Sequence, residues 1–323
     1  LILLCKAPQR VGGLEVITPI VNEIRQHYNI KAYIFFSQKS LCYAQLLKDK
    51  KYKNIVYKVF DKKIQNYKFF KFILLKFILR HLFYKIKIIV FSNENMKNNL
   101  ILNKKIKYLK YPSVTSLVRK ERISENELNF FKGPLAIGIP KLYKSWYKLF
   151  NNEENVKDSL VIFLPSVLEG VFNFSEFKIW FSDICFSLKN NRKKILIKPH
   201  PMQKSDEIKY VRKELKKYKH LNWHETSSYS FIILAKASLV ISAHSSVIIE
   251  SLYFKIPTIF FQKFTDHWIT RHPEKSPYLN IGATYVDSKK KLEKVLKIKN
   301  KKYNLNLDTK NKLLKTFKKN NIL

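Results

Sequence analysis

Short apolar runs recur along this chain with no inside–outside alternation, and stretches of helical length separate them. The first set is LILLC (1–5), KAYIFF (31–36), NIVYKV (54–59), IKIIVFS (86–92) and PLAIGI (134–139). A strand with one wet face alternates apolar and polar residues. A run that is apolar on both faces is covered on both, as in a parallel sheet with helices above and below. Residues 14–27, 38–49 and 62–84 are the predicted helices between these runs. The rhythm then restarts with LVIFL (160–164), KILIK (194–198), HLNW (220–223), SLVIS (238–242) and PTIFF (257–261). Helices are predicted at 174–190, 204–218, 228–236 and 245–254. A last strand near 284–286 and helices near 288–298 and 308–320 close the pattern.

The polar stretch NNEENVKD (151–158) separates the two cycles. A chain of 323 residues also exceeds what one core usually carries. The expected architecture is therefore α/β, with two doubly wound, Rossmann-like domains facing a cleft. The expected boundaries are 1–150, 151–300, and a C-terminal helix in 301–323 that packs back on the first domain. No short repeat of fixed period is present. The chain begins inside an apolar run, as though a strand were already under way, and its start carries no signal-peptide pattern.

The formal charge is +38. Its lysines are spread over the whole length, and zinc-finger spacing, a helix-turn-helix with a basic second helix and RNP-like aromatics are all missing. Nucleic acid is accordingly not the expected partner. The charge favours other anions: nucleotides, phosphorylated sugars, acidic glycans and anionic membrane surfaces. Cys5, Cys42 and Cys185 form no metal-binding spacing and read as small apolar residues in a reducing, cytoplasmic setting. No metal and no cofactor is expected. The apolar window 69–91 is interrupted by Lys71, Lys76, Arg80 and His81, too many charges for a spanning helix. Residues 62–84 have two readings: a helix packed on the first sheet, or an amphipathic face docking on anionic lipid at the inner side of the cell membrane.

Ligands of open α/β sheets sit at the carboxyl ends of strands. Five loops meet that condition: Cys5–Gly13, Pro165–Gly170, Pro199–Gln203, His224–Ser228 and Ser242–Ser246. In KPHP (198–201) two prolines restrict the backbone on both sides of His200. A rigid imidazole at a strand tip can donate to a phosphate oxygen or protonate a leaving phosphate. Lys198 at the same strand end adds charge. The alternative is a sharp turn with a surface histidine. Ser245 and Ser246 fall at a predicted helix start, where a serine caps backbone N–H groups. Two adjacent hydroxyls beside free N–H groups also suit phosphate. Glu225 closes a predicted strand, a common place for a ribose-binding carboxylate. Glu250 reads as a solvated helix carboxylate or as a cleft contact. Arg271 and His267, in TDHWITRHPEKSPY, follow the strand at 257–261 and are further cleft candidates.

The order K-P-H-P, an acidic residue, S-S and then ESLYFKIPTI resembles GT-B-type glycosyltransferases of bacterial surface polysaccharides. The pattern is similar to that of bacterial sialyltransferases and Kdo-transferases with their HP and SS motifs, and of the glycerophosphotransferases of teichoic acid synthesis. AIGIPKLYKSWYKLF (136–150) resembles the segment preceding the second domain in such enzymes. The resemblance covers roughly 134–265. It implies a nucleotide-sugar donor on the second domain and a glycan or lipid-linked acceptor meeting it in the cleft. It implies that His200 contacts or protonates the donor phosphate, that Ser245 and Ser246, with Lys198 and Pro201 nearby, bind that phosphate, and that Glu225 holds the ribose. Gly170, in LEG (168–170), would allow close backbone approach on the donor side.

One departure stands out. The sialyltransferase-type acidic-acidic-Gly motif, which supplies the acceptor-activating base, is missing from the first domain. Glu15, in RVGGLEV, is the candidate base, and its plain reading is an acid in the first turn of a helix. Gly12 and Gly13 would let the acceptor approach the backbone. The expected function is a metal-independent, inverting glycosyltransferase whose donor is a nucleotide sugar, with a CMP-linked acid sugar among the candidates. The alternatives are a polyol-phosphate transferase, a UDP-sugar 2-epimerase, and a non-enzymatic adaptor for membrane or polyanion.

Overall fold

The computed structural model describes residues 2–6, 11–27, 31–35, 86–92, 106–110, 140–150, 156–266, 273 and 276–298. The chain divides into two compact units, Leu1–Leu149 with Asp308–Leu323, and Phe150–Leu307.

The first unit holds β1 (Ile2–Lys6), α1 (Val11–His27), β2 (Lys31–Phe35), β3 (Ile86–Ser92) and β4 (Ile106–Lys110). All four strands are parallel, in the order β2-β1-β3-β4. Strand β4 is absent from the sequence reading. Its segment IKYLK alternates with lysine and lacks a continuous apolar run. It is the last strand in the sheet order, and an edge strand tolerates such charge. Helix α1 buries Ile20, Val21 and Ile24, and it packs against a 3-10 turn (Pro140–Leu142) and α2 (Lys144–Lys148), where Leu142, Tyr143 and Trp146 are buried. The predicted elements at 38–49, 54–59, 62–84, 134–139 and 308–320 lie outside the described residues.

The second unit contains β5 (Ser159–Phe163), α3 (Phe174–Ser187), β6 (Ile195–Lys198), α4 (Ser205–Lys216), β7 (Trp223–Glu225) and α5 (Ser230–Leu234). It continues with β8 (Ala237–Ser242), α6 (Val247–Tyr253), β9 (Thr258–Phe261), α7 (Pro277–Asn280), β10 (Thr284–Val286) and α8 (Lys289–Lys297). Helix α3 shows why the sequence folds this way. Phe177, Trp180, Phe181, Ile184 and Cys185 fall at helical spacing and are all buried. Its start is a capping box: the Asn173 side chain accepts from the Glu176 N–H at 2.9 Å, and the Asn173 N–H donates to Glu176 Oε2 at 2.7 Å. The buried stripe packs on Leu160, Ile162, Ile195, Ile197, Ile241 and Phe261 of the sheet. The Trp180 indole N–H donates to the Phe261 carbonyl at 2.9 Å, so even the polar atom of that ring is satisfied. Helix α6 packs against β8 and β9.

The six strands are all parallel, in the order β10-β9-β8-β5-β6-β7. The chain runs outward from β5 through β6 and β7, then returns to the other side of β5 as β8. The order therefore reverses between β5 and β8, and such a switch point opens a crevice at the carboxyl ends. Of the boundaries that differ from the sequence reading, two in this unit have clear local reasons. The predicted strand 220–223 begins at Trp223, because the Leu221 N–H still closes a turn on the Tyr218 carbonyl at 3.0 Å. Helix α6 begins at Val247, because Ile248 and Ile249 donate to the carbonyls of Ser245 and Ser246, a tighter three-residue entrance.

Candidate functional site

Strand β5 fixes the geometry of the site. Phe163 is in register with Lys198 of β6 on one side and with Ser242 of β8 on the other. The KPHP turn and the serine turn thus leave the same edge of one sheet at the same level. Two strand spacings of about 4.8 Å each separate the ends of β6 and β8 by about 10 Å. The exit of β5, Leu164–Ser166, lies between them.

The KPHP turn is closely braced. The Leu164 N–H donates to the Lys198 carbonyl at 3.0 Å, and the Gln203 N–H donates to the His200 carbonyl at 2.9 Å. The Met202 N–H donates to His200 Nδ1 at 3.2 Å. A backbone N–H can only donate, so Nδ1 accepts, and the neutral ring carries its proton on Nε2. In that tautomer the donor of the ring is Nε2–H, and no positive charge is needed for it. Gln203, to which the sequence reading gave no role, braces the same turn. Its Oε1 accepts from the His200 N–H at 3.2 Å, and its Nε2 donates to the Pro165 carbonyl at 3.3 Å and to the Glu207 carboxylate. Lys198 Nζ donates to the Ser227 carbonyl at 3.2 Å. Pro201 is exposed at the tip of the turn.

The serine turn is looser. Ser246 occupies the N-cap position of α6, but its side chain makes no capping hydrogen bond. Ser245 Oγ accepts from the Val247 N–H at 3.4 Å, a long contact. Both serines are half-buried. His244, which the sequence reading passed over, sits between β8 and the serines with its ring 5.2 Å from that of Tyr278. Ser166, at the exit of β5, is buried and its hydroxyl has no partner. The sequence signal for it was its place in the Pro165–Gly170 loop.

Other candidates fall elsewhere. Gly170 has φ +69°, and a Cβ built on it would meet nothing within 4 Å. The left-handed backbone, rather than close packing by the protein, is what requires glycine there. Glu225 lies on the edge strand β7, and its Oε2 accepts from Arg212 Nε at 2.9 Å and lies 2.9 Å from Arg212 Nη2. Strands β6 and β5 separate β7 from β8, so Glu225 is not brought together with the serines. Glu250 is not a solvated helix carboxylate. It is 3% exposed, and the Ser230 hydroxyl donates to its Oε2 at 2.8 Å. Gly12 and Gly13 belong to the first turn of α1 rather than to a loop, because the helix starts at Val11, ahead of the predicted 14; Glu15 then falls in its second turn. Arg271 and His267 lie outside the described residues. Cys185 is buried in the core, where desolvation pushes its thiol pKa far up, away from nucleophilic use. An open groove of about 460 Å³, lined by Ser159, Lys194, Leu196, Thr226 and Ser228 among others, includes none of the KPHP or serine-turn residues. Among the described residues no three His, Cys, Asp or Glu side chains gather as metal ligands. No helix among them is long and apolar enough to cross a membrane.

No protein-family model matches the chain, and no curated protein matches its sequence. Solved structures do resemble it. The UDP-GlcNAc 2-epimerase of Methanocaldococcus jannaschii superposes with a TM-score of 0.56 at 17% identity, over 96% of this chain and 95% of that one. The UDP-GlcNAc 2-epimerase of Neisseria meningitidis, bound to UDP-GlcNAc, gives 0.54 at 12% identity, over 91% and 90%. Identities this low establish the fold: α/β, of the GT-B type.

Proposed function

We propose that this chain is an enzyme of nucleotide-activated sugars, and that it transfers the sugar to a glycan or lipid-linked acceptor. The carrying observation is the shared register on Phe163, which sets the KPHP and serine turns on either side of the β5 exit. In this reading the donor phosphates lie across that exit. His200 Nε2–H and the hydroxyls of Ser245 and Ser246 donate to phosphate oxygens, where negative charge grows as the sugar–phosphate bond breaks. The acceptor hydroxyl loses its proton to a general base. Its oxygen forms the new bond to the anomeric carbon, and the nucleotide leaves with the bonding electrons. Fixed donors supply the charge stabilisation, so no divalent ion is required.

A second reading is supported by the solved structures above, both of which are 2-epimerases: interconversion of a UDP-sugar at C2. Incubation with radiolabelled UDP-, CMP- and ADP-sugars, with and without EDTA, separates the two. Label passed to a glycan acceptor in the presence of EDTA is the expected result. Conversion of UDP-GlcNAc to its 2-epimer without transfer replaces the transferase by the epimerase. Failure to bind any of the nucleotides removes both and leaves a basic adaptor.

A further inference from the structure

We propose that Gln203 is a positioning residue for His200, tying the KPHP turn to the exit of β5 and to the first turn of α4. The claim rests on the donor-site reading for its functional consequence, but not for its geometry. The amide orientation is fixed by its partners. The His200 N–H can only donate, whereas the Pro165 carbonyl and the Glu207 carboxylate oxygen can only accept from an amide. One side chain thereby spans three elements that meet beside the switch point.

Glu207 makes the arrangement costly. It is 2% exposed, its Oε1 has no partner, and among the described residues no cation pairs with it. A carboxylate buried this way is destabilising. Its place as the third residue of α4, at the positive end of the helix, offsets part of that. A tight turn alone needs none of this. Pro199, Pro201 and the Gln203 N–H to the His200 carbonyl already close it. What the Gln203–Glu207 pair adds is registry of the turn against β5. The Met202 N–H that holds Nδ1, and so keeps the proton on Nε2, sits within the turn that this registry fixes.

The test substitutes Gln203→Met, which keeps side-chain volume and removes every polar contact. Nitrogen-15 shifts of the His200 ring in the full-length protein report the tautomer directly. Expected is a single Nε2–H tautomer in the parent and a mixture in Gln203→Met. Glu207→Gln keeps an acceptor oxygen for the Gln203 amide and leaves its contacts to the His200 N–H and the Pro165 carbonyl in place, and it is expected to keep the single tautomer. If Gln203→Met does not fold, Glu207→Met, which removes the buried carboxylate and the α4 end of the tie, decides in its place: a mixture is expected there, and a single tautomer overturns the proposal.

Binding is read by calorimetry with whichever of UDP, CDP, CMP and ADP the parent binds most tightly. Gln203→Met is expected to weaken it about tenfold, the scale of one misaligned hydrogen bond to a charged group. An unchanged tautomer and unchanged affinity in a folded Gln203→Met protein overturn the proposal. If His200→Ala itself leaves nucleotide affinity intact, the donor-site reading falls, while the ring shifts still decide what Gln203 does.

Discussion

The KPHP turn and the serine turn flank the same strand, yet they are built in opposite ways. Around His200, three neighbouring residues hold the backbone and ring: Leu164 binds the Lys198 carbonyl, Met202 the ring and Gln203 the His200 N–H. Around Ser245 and Ser246, among the described residues, the one hydrogen bond to a serine hydroxyl is the long contact from the Val247 N–H. A braced group is prepaid in orientation and suits charge that develops during a reaction. A loosely committed hydroxyl suits a ligand that supplies the missing partner. Under the proposed function, catalysis belongs to the first turn and binding to the second, and substitutions at each separate the two roles.

The largest effect is expected at the braced turn. His200→Ala should lower turnover by roughly 100- to 10,000-fold, well beyond the about tenfold loss expected in donor affinity, since the group acts mainly on the transition state. Saturating kinetics with whichever sugar nucleotide the protein turns over check this. A change confined to KM would move His200 into plain binding and erase the contrast. At the looser turn, Ser245→Ala combined with Ser246→Ala is expected to cost about 3 kcal/mol of nucleotide affinity, on the order of two hydrogen bonds to a charged phosphate. Folding stability should fall by less than the ~1 kcal/mol of an ordinary cap, because Ser246 caps nothing and Ser245 caps weakly. Calorimetry and urea unfolding on one preparation give both numbers. A loss of stability with affinity unchanged would make the pair a helix cap after all.

The sequence made some of this contrast visible and hid the rest. Both-face apolar runs found β5, β6, β8 and β9, because central parallel strands must be apolar on both sides. They missed β4 and misplaced β7, which are edge strands carrying Lys107, Lys110, His224 and Glu225. The prolines announced His200. Nothing announced Gln203, since an amide between two loops has no sequence period, and its partners Pro165 and Glu207 come from separate elements. Glu250 misled for a related reason. A carboxylate on a predicted helix reads as solvated until the fold brings Ser230 against it.

Gly170 caps a short 3-10 turn (Val167–Glu169) in the loop after β5, and it tests whether that loop serves the fold alone. Gly170→Ala places a side chain on a backbone with φ +69°, at an expected cost of about 1–2 kcal/mol in stability. The new Cβ meets nothing within 4 Å, so the protein's own packing adds no further penalty. If the donor phosphates approach this loop, nucleotide affinity drops as well. Denaturant midpoints with and without nucleotide resolve the two contributions, and equal shifts in both would confine Gly170 to the fold.

Arg212→Ala should do least, and that is its value. The pair joins Arg212 of α4 to Glu225 of the edge strand β7, with side chains 54% and 32% exposed. Exposed ion pairs of this kind contribute about 0.2–1 kcal/mol, less at high salt. Breaking it frees the Glu225 carboxylate while leaving the KPHP and serine turns untouched. If the donor lies across the β5 exit, between β6 and β8, affinity and turnover stay within about twofold of the parent, because Glu225 is two strands from β5. A ribose held by Glu225 behaves differently: removing its competing guanidinium would change affinity beyond that range, and Glu225→Gln would change it too. Nucleotide calorimetry on both variants therefore locates the sugar–nucleotide end of the ligand. A response at Glu225 would stretch the site over four strands, and the serine turn could then hold the phosphates only from the far end of an extended donor.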